Sequence, residues 1–293
     1  MEQLTTVDAW RRYCADARAR GAVVGLVPTM GALHAGHASL VDTAKRECDV
    51  VVVTIFVNPR QFNDPDDLRK YPRPLEDDLA RCRELGVDAV VTPSMEEMWP
   101  AYPAATATTV TVAGVSEGLE GAGRPGHFDG VASVVAKLLI VTGPSRAYFG
   151  EKDFQQLAVV RQMVADLALD VTVVGCPIVR EASGLALSSR NVRLDAAAHE
   201  RALGFSRALA AVHDGVARTA DDMRAVLRDV LEDAGIDVAY AEVVDPTTLR
   251  PLGAGDEGVA RVLLAGFVDG VRLLDNGELR VIATKGATSV AGH

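Results

Sequence analysis

Over roughly the first 174 residues, short β-branched runs alternate with longer stretches of helical periodicity, the pattern of a parallel sheet covered by helices. Strands are expected at 22–27, 50–57, 89–92, 146–149 and 171–174, and helices at 37–48, 74–85, 131–141 and 154–169. Val50, Val51, Val52 and Val53 form an unbroken apolar run, as a central strand buried on both faces requires. Residues 108–112 also read as a strand, outside the main sheet. After Arg190 the grammar changes to two Ala-rich, charged helical segments, 196–212 and 220–233, followed by strands at 238–244, 262–268, 271–274 and 279–283. Asp269-Gly270, between two of these, signals a tight hairpin. The expectation is an α/β parallel-sheet domain with helices on both faces at 1–180, followed by a smaller α+β domain at 181–293, the change falling between Pro177 and Asn191.

Composition narrows the function. The 293 residues carry 30 Lys plus Arg against 40 Asp plus Glu, a net charge of −10, and 48% are hydrophobic, which excludes disordered, collagen-like and disulfide-scaffold classes. An acidic chain is a poor partner for nucleic acid, so any polyanion it binds should be small and held locally. Cys14, Cys48, Cys82 and Cys176 are scattered without metal-site or disulfide spacing and read as reduced thiols. The first 20 residues are too charged for a signal peptide, and the apolar run 131–141, interrupted by Lys137, is too short to span a membrane. A soluble, cytoplasmic protein is expected.

The most informative stretch is Val27-Pro28-Thr29-Met30-Gly31-Ala32-Leu33-His34-Ala35-Gly36-His37, which leads from a buried strand through a Gly-containing turn into a helix. Open α/β sheets bind ligands at such strand ends. Free backbone N–H groups and the helix dipole would favour a phosphate there, with Gly36 letting it approach the backbone. His34 and His37, three apart, can donate hydrogen bonds to phosphoryl oxygens. Two other readings stay open for the pair: part of a metal site, though no third ligand has suitable spacing, or merely polar residues of an exposed turn. No GxxxxGK[ST] sequence occurs. A GxGxxG match at 121–126 follows no buried strand and reads as a loop in which Arg124 and His127 are able to point at a ligand.

Six blocks carry a resemblance: PTMGALHAGH at 28–37, IFVNPRQF at 55–62, YPR at 71–73, GRPGHFDGV at 123–131, FGEKDFQQL at 149–157 and LSSRN at 187–191. In this order they resemble the pantothenate synthetase, or pantoate–β-alanine ligase, family, within the wider group of nucleotidyltransferases with a His-x-Gly-His turn. The resemblance implies a Rossmann-like first domain, a smaller C-terminal lobe that closes over the ATP site, and a homodimer. It implies a two-step reaction: pantoate attacks the α-phosphate of ATP to give pantoyl adenylate and pyrophosphate, and β-alanine then displaces AMP. The ATP site would comprise Met30, Gly31, Ala32, Leu33, His34, Ala35, Gly36 and His37, then Gly150, Glu151, Lys152 and Asp153, the backbone near Val179, and Leu187, Ser188, Ser189 and Arg190. Lys152 and Arg190 would neutralise the phosphates, His34 would assist, and His37 would be the leading proton donor. Gln61 and Gln156 would bind pantoate, Gln61 also β-alanine, and Met30, Val57 and Phe62 could wall the pantoate methyls. By residue type alone, Gln155 and Gln156 would more often be exposed polar residues. Mg²⁺ is expected with ATP, held mostly by phosphate oxygens. Asp77 or Asp78 is a candidate anchor, Asp77 the preferred one, although a solvated acidic first helical turn explains both.

Ala35 stands where an acidic residue is common in that family, and Leu187 where Met is usual. Three rivals remain: a nucleotidyltransferase that stops after transferring AMP or CMP, a nucleotide-binding regulatory protein without catalysis, and a metal-dependent hydrolase built on the His pair.

Overall fold

The structure is a computed structural model and describes residues 1–213, 219–253 and 255–282. The chain forms two compact units, one of Met1–Glu181 with Leu187–Ser189, the other of Ala182–Ala186 with the chain from Arg190 onward.

The first unit is built on six parallel strands: β1 (Glu2–Leu4), β2 (Val24–Thr29), β3 (Val50–Ile55), β4 (Ala89–Val91), β5 (Ser145–Gly150) and β6 (Val171–Cys176). Their order in the sheet is β1-β4-β3-β2-β5-β6. The helices between them are α1 (Val7–Ala19), α2 (Ala35–Glu47), α3 (Pro65–Lys70), α4 (Leu75–Glu84), α5 (Met95–Met98), α6 (Leu119–Gly123), α7 (His127–Thr142) and α8 (Phe154–Asp166).

Alternation along β3 explains the valine run. Val51 and Val53 join Leu40, Val41 and Ala44 of α2 and Leu79 of α4 in one apolar layer, while Val52 is equally buried on the opposite side of the pleat. α1 and α7 pack together and each reaches β2. α7 is buried on nearly every side, as its all-round apolar sequence demands. β2 pairs with β3 on one side and β5 on the other. The chain thus leaves β2 in one direction across the sheet and reaches β5 in the other, which makes the carboxyl ends of β2 and β5 the switch point where such sheets open a crevice.

Two N-terminal elements escaped the sequence reading. β1 is only three residues long and sits at the sheet edge beside β4. α1 buries Trp10, Cys14 and Ala17, a helical spacing, and its first turn is capped by Thr6, whose Oγ1 accepts from the Ala9 N–H at 3.2 Å. The strand expected at 108–112 does not form. No ladder partner lies beside it; instead the Val110 N–H donates to Ser133 Oγ at 2.9 Å. The segment 121–126 is not simply a loop, since α6 covers its first three residues and Gly126, at φ 78, leads into α7.

The second unit stacks α9 (Ala196–Ala202), α10 (Gly204–His213) and α11 (Ala220–Asp233) with an antiparallel sheet of β7 (Asp237–Val244), β8 (Gly258–Val268) and β9 (Val271–Val281). The single helix expected at 196–212 breaks at Leu203, next to a glycine that packs against Ala234 and Ile236 where a Cβ would collide. The two strands expected at 271–274 and 279–283 are one. Asp275-Asn276-Gly277 reads as a breaker, yet Asn276 Oδ1 accepts from Arg261 Nε at 2.8 Å across the ladder, so the polar residues are paired within the sheet. Ala283, the last residue of the expected strand, lies outside the described residues. Among those residues no helix is long and apolar enough to cross a membrane.

Asp269 (φ 48) and Gly270 (φ 74) join β8 to β9 with Val268 opposite Val271, the double positive φ of a type I′ hairpin. Nothing lies within 4 Å of a Cβ built on Gly270, so Gly270→Ala tests backbone strain alone. It is expected to lower stability by about 1 kcal/mol, read as a lower denaturation midpoint at unchanged m-value.

Candidate active site

The turn leaving β2 is organised by side chains that take up its own amides. Gly31 N–H donates to Thr29 Oγ1 at 3.1 Å. The Ala32 and Leu33 N–H groups donate to the two oxygens of Asp78, at 2.8 and 2.7 Å. His34 caps α2: Gly36 N–H donates to His34 Nδ1 at 3.1 Å, and His34 N–H donates to His37 Nδ1 at 3.3 Å, a reciprocal capping box made of two imidazoles. The expectation of free amides for a phosphate is therefore corrected: those of Gly31, Ala32, Leu33, His34 and Gly36 all have partners inside the protein. Gly36 is required for another reason, because an added Cβ would stand 2.8 Å from the His34 ring.

These caps fix the chemistry of the rings. An imidazole whose Nδ1 accepts from an amide carries its proton on Nε2 when neutral. Burial, then the neighbouring His34, pushes His37 down to about 3. His34 is also lowered, by burial and then by Lys152. The ring centroids are 4.1 Å apart, and each residue keeps some solvent exposure. At neutral pH the pair presents two Nε2–H donors and no imidazolium.

Gly150 ends β5, and Glu151, Lys152 and Asp153 form the 3₁₀ turn that leads into α8. Lys152 Nζ lies 3.4 Å from Asp153 Oδ1. Both residues act electrostatically on His34 and His37, the lysine lowering and the aspartate raising their pKa values. The structure thus brings together, at the switch point, the residues expected from the blocks at 28–37 and 149–153.

Gln61 lies in the 3₁₀ turn Pro59–Gln61 after β3. Its Oε1 accepts from Asn58 Nδ2 at 3.0 Å, and its Nε2 donates to Met30 Sδ at 3.2 Å. Asn58 is itself held by Trp99, whose Nε1–H donates to Asn58 Oδ1 at 3.0 Å. The Gln61 carbonyl accepts from His127 Nδ1 at 2.7 Å and from Arg124 Nη2 at 3.2 Å. Arg124 and His127 therefore brace the peptide that carries Gln61. Asn58 and Trp99 were not singled out from the sequence; Asn58 stands inside the block IFVNPRQF, and Trp99 leaves no sequence signal. Met30, Val57 and Phe62 are all partly buried, and Phe62 meets Tyr71 edge-on at 5.6 Å.

Gln156 is partly exposed near the start of α8, whereas Gln155 is buried, contrary to expectation. Gln155 Oε1 accepts from the Glu120 N–H at 3.0 Å, and its Nε2 donates to the Val115 carbonyl at 3.0 Å, which anchors the segment before α6. The Leu187 N–H donates to the Val179 carbonyl at 3.0 Å. Leu187, Ser188 and Ser189 belong to the first unit, and Arg190 begins the next stretch of the second. Asp77 is exposed on α4, but Asp78 is 3% exposed with both oxygens on the turn amides, so the reading of Asp78 as a solvated residue is corrected. Among the described residues no group of three or more His, Cys, Asp or Glu is placed to hold a metal ion.

A doubly wound parallel sheet with two imidazoles and a lysine gathered at its switch point defines an α/β enzyme of small-molecule chemistry. Residues 2–278 match the family model described as pantoate-beta-alanine ligase. A pantothenate synthetase of Cereibacter sphaeroides is 52% identical over 276 residues, covering 93% of this chain and 98% of the relative, and one of Ruegeria pomeroyi is 50% identical over 275 residues, covering 90% and 95%. The solved pantothenate synthetase of Thermus thermophilus superposes with a TM-score of 0.85 at 44% identity, covering 94% of this chain and 99% of that one. A pantoate-beta-alanine ligase of Francisella tularensis, solved with beta-gamma ATP and beta-alanine, gives 0.78 at 34% identity, covering 94% and 97%. The chain belongs to the pantoate–β-alanine ligase family, enzymes that form a C–N bond between an acid and an amine.

The buried neutral histidines make stability depend on pH. His127 is pushed down to about 4 by burial and then by Arg124. Unfolded, it takes up a proton near pH 6.5, so folding stability is full above that value and falls as pH drops towards 4. Between pH 6.5 and 5 this one residue accounts for about 2 kcal/mol. His127→Gln is expected to flatten the slope of unfolding free energy over that interval by about one proton, measured by denaturant titration.

Proposed function

We propose that this enzyme condenses pantoate with β-alanine at the expense of ATP, through a pantoyl adenylate, releasing pyrophosphate and then AMP. The observation that supports this reading most is the pair of capped, neutral imidazoles that feel Lys152 at the carboxyl ends of β2 and β5. An in-line attack on an α-phosphate asks for alignment and positive character around the transferring group more than for a nucleophilic side chain. In this reading ATP lies along residues 30–37, residues 150–153, Val179 and residues 187–190. His34 and His37 donate hydrogen bonds to phosphoryl oxygens, and His37 acts as a neutral donor. Lys152 and Arg190 supply the full charges.

Gln61 and Gln156 hold pantoate. A neutral carboxamide bonds hydroxyls and carboxylate without pairing off the charge that must attack, and Gln61, held by Asn58 and by the Met30 sulfur, is preorganised for this. β-Alanine then meets Gln61 as its amine approaches the acyl adenylate.

The donor set fits a Mg²⁺ that travels with the triphosphate and not a dedicated protein cage, since Asp78 is engaged with the turn and Asp77 is the exposed carboxylate beside it. Such an ion would screen the phosphate oxygens. The same reading makes the enzyme a cytoplasmic homodimer, which sedimentation would test.

Isotope exchange tests the chemistry. Exchange between ATP and pyrophosphate is expected with pantoate alone, and AMP release only when β-alanine is added; exchange supported by a phosphorylated alcohol instead of pantoate would favour a simple nucleotidyltransferase. His37→Ala is expected to lower kcat of the first step by about 10² to 10³, and unchanged turnover would remove His37 from the mechanism. Asp77→Asn is expected to raise the Mg²⁺ concentration for half-maximal rate a few-fold while the ATP-saturated rate at high Mg²⁺ recovers.

A further inference from the structure

The turn that carries the two imidazoles is held from beneath by a residue on another element. Asp78 projects from the first turn of α4, where the helix dipole favours a carboxylate. It is 3% exposed, and its two oxygens accept from consecutive amides, Ala32 and Leu33, 46 and 45 residues away in the chain. Ala32 has φ 51, a conformation that an L residue keeps only when its surroundings hold it there. Gly31 precedes it at φ 81, and a Cβ added to Gly31 would stand 2.8 Å from Asp78 Oδ2. Gly31, Ala32 and Leu33 are the whole of the path between Met30, which touches Gln61, and His34, which caps α2.

We infer that Asp78 is a positioning residue: its buried carboxylate clamps the Ala32 and Leu33 amides and so sets where His34 and His37 present their Nε2–H groups to the nucleotide. This rests on the reading that the turn binds ATP. The clamp takes up the Ala32 and Leu33 amides, so that these two are not offered to a ligand. It also separates Asp78 from its neighbour Asp77: Asp78 holds the turn amides with both oxygens, whereas Asp77 is exposed.

Asp78→Asn tests this. The variant is isosteric, but its NH₂ faces an N–H donor, so one of the two bonds is lost. A non-hydrolysable ATP analogue, α,β-methylene ATP, is expected to bind at least tenfold more weakly by calorimetry. In ATP–pyrophosphate exchange the KM for ATP is expected to rise by a similar factor, the KM for pantoate to change less than threefold, and the Mg²⁺ midpoint to stay put. Leu79→Ala, which empties a core position on the same helix, is the control for destabilisation and should lower the melting temperature with both KM values unchanged. If Asp78→Asn fails to fold, Gly31→Ala loads the same contact from the other side and should give the same selective loss of ATP binding. The inference is overturned if the folded variants keep wild-type affinity for the analogue, if they lose activity only in proportion to their unfolded fraction, or if a shifted Mg²⁺ midpoint accounts for the whole defect. Wild-type enzyme in the same assay separates the two readings: no pantoate-dependent exchange there defeats the proposed function, whereas normal wild-type exchange with unaltered variants defeats only the role of Asp78.

Discussion

The active-site turn depends on a competition for backbone amides that the protein's own side chains win. Thr29, His34, His37 and Asp78 together occupy five consecutive or near-consecutive N–H groups of the segment between β2 and α2. In the glycine-rich turns that open many nucleotide-binding helices, those amides are the anion site. Here the proposed reading assigns that part instead to two Nε2–H groups and to Lys152. Ring donors differ from amides in one useful respect: they stand further out from the backbone and their direction is set by a cap that can be tightened or loosened from the side chain. Because burial keeps both rings neutral, they give direction more than charge, and the full charge has to come from cations such as Lys152.

That division suits a chain with a net charge of −10. A field of that sign repels a triphosphate at long range, but screening limits it to about 8–10 Å at physiological salt. Recognition then falls to short-range, directional groups. The proposed function extends the same logic to the acid substrate, since Gln61 is neutral but immobilised by Asn58, Met30, Arg124 and His127. A carboxamide fixed in this way has little conformational entropy left to lose on binding, which is what preorganisation contributes to alignment.

Much of this was legible in the sequence because the signals were local. The valine run of β3, the strand-to-helix turn, the Asp269-Gly270 hairpin and the Ala220–Asp233 helix each announce themselves within a dozen residues. What could not be read depends on partners far along the chain. Asn276 looks like a strand breaker until Arg261 is seen to pair with it across the ladder; Gln155 looks like a surface residue until the segment around Val115 and Glu120 closes over it. Asp78 looks like an ordinary acidic first-turn residue until the turn before His34 arrives on top of it. Arg124 and His127 stand out by their chemistry, but their target on the Gln61 carbonyl depends on the packing of α7 against the Pro59–Gln61 turn, where Gly130 leaves room for the Arg60 carbonyl. α1 is a different case: the Thr6 cap and the 10-14-17 spacing are local signals, but the charges interleaved with them mask the apolar face.

The choice of histidine as a helix cap carries an argument of its own. Serine, asparagine and aspartate are the preferred N-caps, and any of them would satisfy the first turn of α2 with less burial of a titratable ring. Each does so with a short side chain whose remaining polar atom or proton stays close to the backbone. Histidine carries its two nitrogens at different edges of one rigid ring, so that Nδ1 can accept from the helix while Nε2 keeps a proton to donate elsewhere. Two of them in reciprocal contact fix each other's tautomer through the backbone, without help from a carboxylate. The unfavourable burial of His37 therefore makes sense as the cost of holding a donor of known direction on a turn where five amides are already taken up. It also explains why the pair tolerates Ala35 between them: the intervening residue is exposed on the helix and takes part in neither cap.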